Sequence, residues 1–214
     1  MALAGIVEIM ANYSSDTEQL RAEIAAAAAR LIAEDGADYG TAKRKAAKQI
    51  LGNAKVRGEI MPDNAQIEDE VRIYNELFFN DSQPARLLHL RKLALRMMEE
   101  LEQFSPYLTG AVLNGTAGEH SDIHLQLFAD SPKDVEIFLL NKNVDFEVSE
   151  SAHFKGRGDP VETVSYMWKN EGVHLALYAT DDVRGAVRST SGGRTERADI
   201  QAVRALITES ETAK

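Results

Sequence analysis

The chain has 214 residues, enough for one large or two small domains, and its 44% apolar share is ordinary for a globular protein with a packed core. A formal net charge of -10 argues against nucleic-acid binding over the whole surface and leaves room for a local basic patch. The absence of cysteine excludes disulfides, thiolate metal sites and cysteine nucleophiles, and it fits a cytoplasmic location. Without an apolar run of about 18 residues or a basic flank on MALAGIVEIM, we expect neither a membrane span nor a signal peptide.

Residues 1–104 show apolar residues at helical spacing, which predicts an all-helical N-terminal domain. The first helix is expected to follow a tail or a short docking segment at residues 1–15, to begin at Ser14–Asp16 and to end at Gly36. A second helix is expected from Thr41 to Gly52, a third after Asp63 or Asn64, and a fourth over ARLLHLRKLALRMMEELEQF. The buried stripe of the third helix is predicted to consist of Ile67, Val71, Tyr74, Leu77 and Phe78.

The second helix carries the strongest basic run of this acidic chain, and two interpretations stay open. The run comprises Lys43, Arg44, Lys45 and Lys48, followed by Lys55 and Arg57. It is either the solvated face of a helix whose alanines pack inward, or a surface that contacts the backbone of RNA or DNA.

From Ser105 the apolar period changes from helical to alternating, which predicts a sheet domain over residues 105–214. Within GAVLNGTAGEHSDIHLQLFA, we expect a strand at Ala111–Leu113, a glycine turn, and a second strand from Ser121. On that second strand Asp122 and His124 point to the same face, about 7 Å apart. Further expectations are a helix starting at Ser131-Pro132, a strand over VDFEVSESAHF, a hairpin turning at Lys169–Gly172, and a last helix capped by Asp199. Four arginines, which either clamp phosphate or sit in a surface loop, are Arg184, Arg188, Arg194 and Arg197.

One stretch of the sheet domain resembles the motif of the polymerase-beta-like nucleotidyltransferases, in a divergent bacterial branch. It reads Leu113-Asn114-Gly115-Thr116, then Ala117–Ser121, then Asp122-Ile123-His124-Leu125. That motif is an apolar residue, Gly, then Ser or Gly, a spacer, and Asp-apolar-Asp/Glu-apolar. The resemblance implies an α+β fold in which a mixed sheet carries helices on one face. It also implies phosphate binding by Gly115, Thr116, Gly118 and Ser121, and a divalent metal, magnesium or a transition metal, held near the catalytic pair Asp122 and His124.

Three departures from the motif bear on activity. Thr116 replaces the usual Ser, the spacer is short, and His124 stands where a second carboxylate is expected. Neutral imidazole suits transition metals better than magnesium. The family's third carboxylate aligns either with Asp145 or with His174, and the second alignment gives a metal set of Asp122, His124 and His174. The competing interpretation is a pocket in which these groups bond to one another or to water, beside a loop that is an ordinary glycine turn.

The leading functional hypothesis is a nucleotidyltransferase-like protein that binds a nucleotide phosphate and a metal and is catalytically impaired by its missing carboxylate. A metal-dependent nucleotidyltransferase stays open, with Asp122 and either Asp145, which would restore a carboxylate pair, or His124 and His174 holding the metal. The alternative is a nucleic-acid-binding or regulatory module that uses the basic helix at residues 41–57.

Overall fold

The computed structural model describes residues 2–52, 58–154, 159–183, 190–191 and 194–212. Contacts divide the chain into a helical unit, Met1–Gln83 with Gly118–His120, and a sheet unit, Pro84–Ala117 with Ser121–Lys214. This division lies between Gln83 and Pro84, so the fourth helix has its contacts in the sheet unit. The assignment of domains to residues 1–104 and 105–214 stays a prediction.

The helical unit consists of α1 (Ala2–Asp35), α2 (Tyr39–Leu51) and α3 (Asn64–Phe78), with a 3₁₀ turn at Gly58–Ile60. Small side chains let the helices approach closely, because Ala28 on α1 and Ala46 on α2 are fully buried beside Ile67 and Val71 of α3. The predicted tail before Ser14–Asp16 is wrong, since α1 is helical from Ala2. Serine is only mildly unfavourable inside a helix, so a cap signal does not force a helix to begin there.

The caps of α2 and α3 explain where these helices begin. Asp38 caps α2 by accepting a hydrogen bond from the backbone N–H of Thr41 (2.9 Å), so the cap precedes the predicted Thr41. Asp63 and Gln66 form a reciprocal capping box at the start of α3. Asp63 is one of the two cap residues that were predicted for this helix.

The predicted burial of Leu77 and Phe78 at the end of α3 is wrong, because they are 70% and 64% exposed. The buried line of α3 runs through Ile67, Val71 and Asn75. Leu77 lies to the side of that line, and Phe78, in the last turn, packs its ring against Tyr74 in a tilted arrangement with 4.5 Å between centroids.

The sheet unit contains a five-stranded mixed sheet in the order β1-β2-β5-β4-β3, in which β2 and β5 are parallel and the other neighbours antiparallel. The strands are β1 (Tyr107–Thr109), β2 (Ile123–Ala129), β3 (Glu147–Ser151), β4 (Val161–Trp168) and β5 (Glu171–Ala179). A separate two-stranded ribbon pairs β6 (Thr190–Ser191) with β7 (Arg194–Thr195). The helices are α4 (Gln83–Glu100), α5 (Gly110–Asn114), α6 (Pro132–Asn141) and α7 (Ile200–Thr212), with 3₁₀ turns at Glu102–Phe104 and Thr180–Asp182.

One face of the sheet forms the core with α4, α6 and α7, as the predicted α+β class with helices on one face requires. The strands supply Ile123, Leu125, Leu127, Val173, Leu175 and Leu177, and the helices supply Leu90, Met97, Val135 and Val203. The alternate residues of β2, β5 and β4 point to the opposite face. We call it the histidine face, and its residues include His124, Gln126, His174, Ala176 and Ser165.

The predicted strand at Ala111–Leu113 is wrong, because Gly110–Asn114 forms the short helix α5. Gly110, with φ of 70°, turns the chain at the end of β1, and Gly115, with φ of 88°, ends the helix. A short apolar run has no period long enough to distinguish a strand from a buried helical turn.

The predicted starts of α6 and α7 are confirmed, whereas the strand predicted over VDFEVSESAHF is limited to β3 at Glu147–Ser151 and the predicted Lys169–Gly172 turn is shorter, since β5 begins at Glu171. Ser131 caps α6 with Pro132 in its first turn, and Asp199 accepts from the N–H of Ala202 (2.8 Å) at the start of α7. The β4–β5 hairpin turns at Lys169 and Asn170, both at positive φ. Lys55, Arg57, Arg184 and Arg188 lie outside the described residues. Among the helices described, none has the length and apolar character needed to cross a bilayer.

Candidate functional site

The histidine face carries a row of polar side chains that crosses all five strands. The register pairs Thr109 with His124, His124 with His174, His174 with Ser165, and Ser165 with Glu147. Because paired residues on adjacent strands point to the same face, these side chains form one line. The predicted placement of Asp122 and His124 on one face is confirmed, since Asp122 hydrogen-bonds to His174 of this line.

His174 is the centre of this row because both of its ring nitrogens are hydrogen-bonded. Its Nε2 lies 3.0 Å from Oδ2 of Asp122, and its Nδ1 lies 2.9 Å from Oγ of Ser165. The side chains of His174 and Asp122 are 31% and 46% exposed. Gly172 makes room for the carboxylate, since a Cβ at this position would lie 2.3 Å from Oδ1 of Asp122. A side chain at position 172 would therefore force the Asp122 carboxylate to shift from its position beside His174.

His124 lies beside His174 on the next strand, with the two rings stacked at 4.7 Å between centroids and 19° between planes. His124 is exposed to solvent by surface area. Partial desolvation by the surrounding protein nevertheless lowers the pKa of its imidazole, the nearby His174 lowers this pKa further, and Asp122 opposes both effects. His124 is therefore neutral at neutral pH and can offer one N–H and one lone pair to a ligand.

Gly110 directly follows Thr109, the first residue of this row. A Cβ at Gly110 would be 3.9 Å from Cβ and Cδ2 of His124, and the Oγ1 of the preceding Thr109 donates to the backbone carbonyl of His124 (3.2 Å).

Gly115 and Thr116 lie at the opposite end of α5 from Gly110. Thr116 is 4% exposed, and its N–H and hydroxyl both donate to Oδ1 of Asn114, at 3.0 and 2.7 Å. Gly118 belongs to the helical unit, and Ser121 lies half-buried directly before Asp122. The phosphate-binding role of these four residues stays a prediction.

The donor set on the histidine face does not fit a metal centre formed by Asp122, His124 and His174. An ionised Asp122 can only accept, so Nε2 of His174 carries the proton and Nδ1 accepts from Ser165. The lone pair of Nδ1 is engaged by the Ser165 hydroxyl and Nε2 carries a proton, so neither ring nitrogen is free to bind a metal in this arrangement. Across the ranges the structure describes, no group of three or more His, Asp or Glu side chains is arranged to hold a metal ion.

Of the two alignments for the third position, the sheet order brings His174 and not Asp145 to the site. His174 pairs directly with His124. Asp145 is exposed and precedes β3, the edge strand separated from β2 by β5 and β4. Asp145 therefore does not supply a second carboxylate beside Asp122.

Arg197 lies on the histidine face next to the polar row. Its guanidinium stacks 4.1 Å above the ring of Phe154, and its Nε donates to Oε1 of Gln126, which follows His124 by two residues on the same face. Desolvation by burial lowers the pKa of Arg197, which nonetheless stays protonated at any ordinary pH. It supplies a fixed positive charge near His124.

The basic helix α2 presents Arg44, Lys45 and Lys48 to solvent and buries Ala42, Ala46 and Ala47. Arg44 donates to Oγ1 of Thr41 within the same helix (3.0 Å). Both interpretations of the run require this arrangement, so RNA or DNA binding through Lys43, Arg44, Lys45 and Lys48 stays a prediction.

Comparison with known proteins gives little on function. No family model matches the sequence, and no curated protein matches it. Among solved structures, the chain is similar to a chain described as "structure of GLD-2/RNP-8 complex", with 20% sequence identity and a TM-score of 0.29. The match covers 54% of this chain and 48% of that chain, so this protein spans about half the length of its structural neighbour.

The site contains three residues that sequence reasoning missed: Gly110, Ser165 and Gly172. The sequence predicts Gly172 in a turn, and it assigns no role to Gly110, which directly precedes the strand predicted at Ala111–Leu113. A signal for Ser165 was present in the hairpin sequence. A two-residue turn at Lys169-Asn170 fixes which residue of β4 lies opposite which residue of β5. That register places Ser165 opposite His174.

Proposed function

We propose that the sheet unit is a divergent nucleotidyltransferase-like domain that binds the phosphates of a nucleotide on the histidine face. The observation that carries the proposal is the position of Gly110 at the end of β1, where a Cβ would lie 3.9 Å from Cβ of His124, two residues after Asp122. The chain runs from a strand that ends in glycine, through a short helix, to a strand that begins next to an aspartate. The resembled motif likewise places a glycine and a spacer before its aspartate.

The residues around Gly110 suit a phosphate group. Glycine leaves the backbone open to close approach by phosphate oxygens, and its amide can donate to them. His124 is exposed and neutral, so its ring N–H is a second donor. Arg197, near Gln126 on the same face, supplies positive charge that attracts an anion.

The same residues argue against efficient transfer. Magnesium prefers oxygen ligands, and Asp122 is the single carboxylate among Asp122, His124 and His174. The hydrogen bond from His174 further occupies one oxygen of that carboxylate. We therefore propose a protein that binds nucleotide tightly enough to be regulated or modified by it and turns it over slowly. A resident magnesium or transition-metal ion stays a prediction that requires His174 to release Asp122 or Ser165.

Calorimetric titration with ATP, CTP, GTP and UTP, each with and without MgCl₂, tests the binding. We expect saturable binding of at least one of the four. His124→Ala should weaken this binding about tenfold, because one hydrogen bond in a binding site is worth about 1–1.5 kcal/mol. Trp168 has its side chain on the core side of β4, so calorimetry is a more direct readout than its fluorescence.

His89→Ala is the matched control. His89 is also an exposed histidine of the sheet unit (55% side-chain exposure), and it lies on the core-side helix α4. Its Nε2 is 3.4 Å from Oε1 of Glu171. Its replacement should leave the dissociation constant unchanged. Equal affinities for the wild type and His124→Ala, or no saturable binding of any of the four nucleotides, would refute nucleotide binding at this face.

A further inference from the structure

Ser165 has a hydroxyl group that is held by a potential base. It lies in the middle of β4, half-buried on the histidine face, and its Oγ is 2.9 Å from Nδ1 of His174. A serine hydroxyl is a weak nucleophile by itself and becomes effective when an adjacent imidazole takes its proton.

The direction of each hydrogen bond follows from chemistry. The ionised carboxylate of Asp122 has no hydrogen to donate, so it accepts from Nε2–H of His174 (3.0 Å). In the neutral imidazole, Nδ1 then carries the lone pair, and the Ser165 hydroxyl must be the donor. The carboxylate thus orients the ring and fixes the tautomer in which His174 can accept a proton from Ser165.

The surroundings support that role in two ways. Asp122 offers a negative charge that stabilises His174 once the ring is protonated. His124, stacked 4.7 Å away, adds no competing positive charge because it is neutral. Gly172 keeps the carboxylate in place, since any larger residue would collide with it.

The row also brings Ser165 within reach of a nucleotide bound at Gly110. Thr109, His124, His174 and Ser165 occupy successive strands, and three strand spacings amount to about 14 Å. The triphosphate group alone is shorter than this, but His124 lies only one strand from His174 and two strands from Ser165. A nucleotide whose terminal phosphate is bound by His124 can therefore place its α-phosphorus over β5, beside the Ser165 hydroxyl.

From this geometry we propose that Ser165 is itself the acceptor of a nucleotidyl group, so that the protein modifies its own chain. The proposal rests on the nucleotide binding proposed above and identifies the acceptor for that site. Ser165 Oγ forms a bond to the α-phosphorus of a nucleoside triphosphate, and the bond from that phosphorus to the pyrophosphate oxygen breaks. The hydroxyl proton passes to Nδ1 of His174, and pyrophosphate leaves. The product is a phosphodiester that links Ser165 to a nucleoside monophosphate.

An acceptor within the chain is favoured over an external one for a structural reason. The one ring nitrogen of His174 that can accept a proton already holds the Ser165 hydroxyl. An external alcohol would have to displace Ser165 from this position before it could be activated.

Mass spectrometry of the full chain, incubated with each of the four ribonucleoside triphosphates and MgCl₂, tests the proposal. We expect a mass increase of one nucleoside monophosphate, mapped by peptide fragmentation to Ser165. Ser165→Ala should abolish it. His174→Asn should slow it at least tenfold, because an amide oxygen can accept the hydrogen bond from Ser165 and cannot take its proton.

Ser149→Ala is the control, since Ser149 is an exposed serine of the neighbouring β3 and points to the same face. It should be modified at the wild-type rate. Three results would overturn the proposal in a protein that binds nucleotide by calorimetry: no gain of mass, a gain at another residue, or equally fast modification after His174→Asn. Each of these results leaves nucleotide binding intact. If no nucleotide binds, the proposed function fails and the acceptor assignment fails with it.

Discussion

Replacing Arg91 by methionine is expected to lower the free energy of unfolding of the sheet unit by about 3 kcal/mol. Arg91 is 8% exposed, and its guanidinium donates to the carbonyl oxygens of Val112 (3.1 Å) and Leu113 (3.2 Å) and to Oγ of Ser210 (3.1 Å). The two carbonyls lie in the last turn of α5, where no further helical N–H can satisfy them. Methionine fills the space and leaves both buried oxygens unpaired.

Urea denaturation followed by the fluorescence of Trp168 measures this effect, because Trp168 packs against the core of the sheet unit. Arg96→Met is the matched control, since Arg96 lies on the same helix and is exposed. We expect the control to change stability by less than about 0.5 kcal/mol. Equal stabilities of the two variants would show that Arg91 does not hold α5 in place. The desolvation that lowers the pKa of Arg91 fits a guanidinium that is kept in the interior for its hydrogen bonds.

Replacing Gly172 by alanine is expected to break the hydrogen bond between Asp122 and His174. The new Cβ would lie 2.3 Å from Oδ1 and 2.6 Å from Cγ of Asp122, so the carboxylate must move away. We expect a loss of about 1–3 kcal/mol in the free energy of unfolding from this crowding. We also expect the Nε2–H of His174 to lose its partner, which the side-chain ¹⁵N resonances of His174 report directly.

Gly58→Ala provides the comparison for Gly172→Ala, because a Cβ at Gly58 would have no heavy atom within 4 Å. Its stability and its histidine resonances should match those of the wild type. Unchanged His174 resonances after Gly172→Ala would mean that the hydrogen bond between Asp122 and His174 does not depend on glycine at position 172.

The elements that were predictable from sequence are those specified by local patterns. Alternation along IHLQLFA and GVHLALYA indicated strands with a polar face, and β2 and β5 confirm both. The side chains of Asp63, Ser131 and Asp199 start helices because each satisfies a backbone N–H that the helix leaves unpaired. Such signals act within four residues and need no knowledge of the fold.

The features that were not predictable depend on pairing between distant segments. Ala111–Leu113 is compatible with a strand or a helical turn, and the absence of a neighbouring strand for it in the described sheet decides for α5. The position of Gly110 against His124 follows from that choice. Gly172 faces Asp122 through the parallel pairing of β2 with β5. No periodicity in one segment reveals these contacts.

Asp122, His124 and His174 were the candidate residues that the sequence could suggest, and they do lie on adjacent strands. The sequence could not indicate that Asp122 and Ser165 would occupy both ring nitrogens of His174. That arrangement turns a predicted set of metal ligands into a hydrogen-bonded chain. Side-chain chemistry therefore changes with register even when the residue types stay the same.

NMR titration of the ¹⁵N-labelled protein with a non-hydrolysable nucleoside triphosphate analogue tests nucleotide binding at the histidine face most directly. We predict saturable shifts of the Gly110 and Ala111 amides and of the His124 and His174 ring nitrogens, with the β3 amides unaffected. Saturable shifts confined to other parts of the molecule, or none at concentrations far above those of cellular nucleotides, would contradict the account.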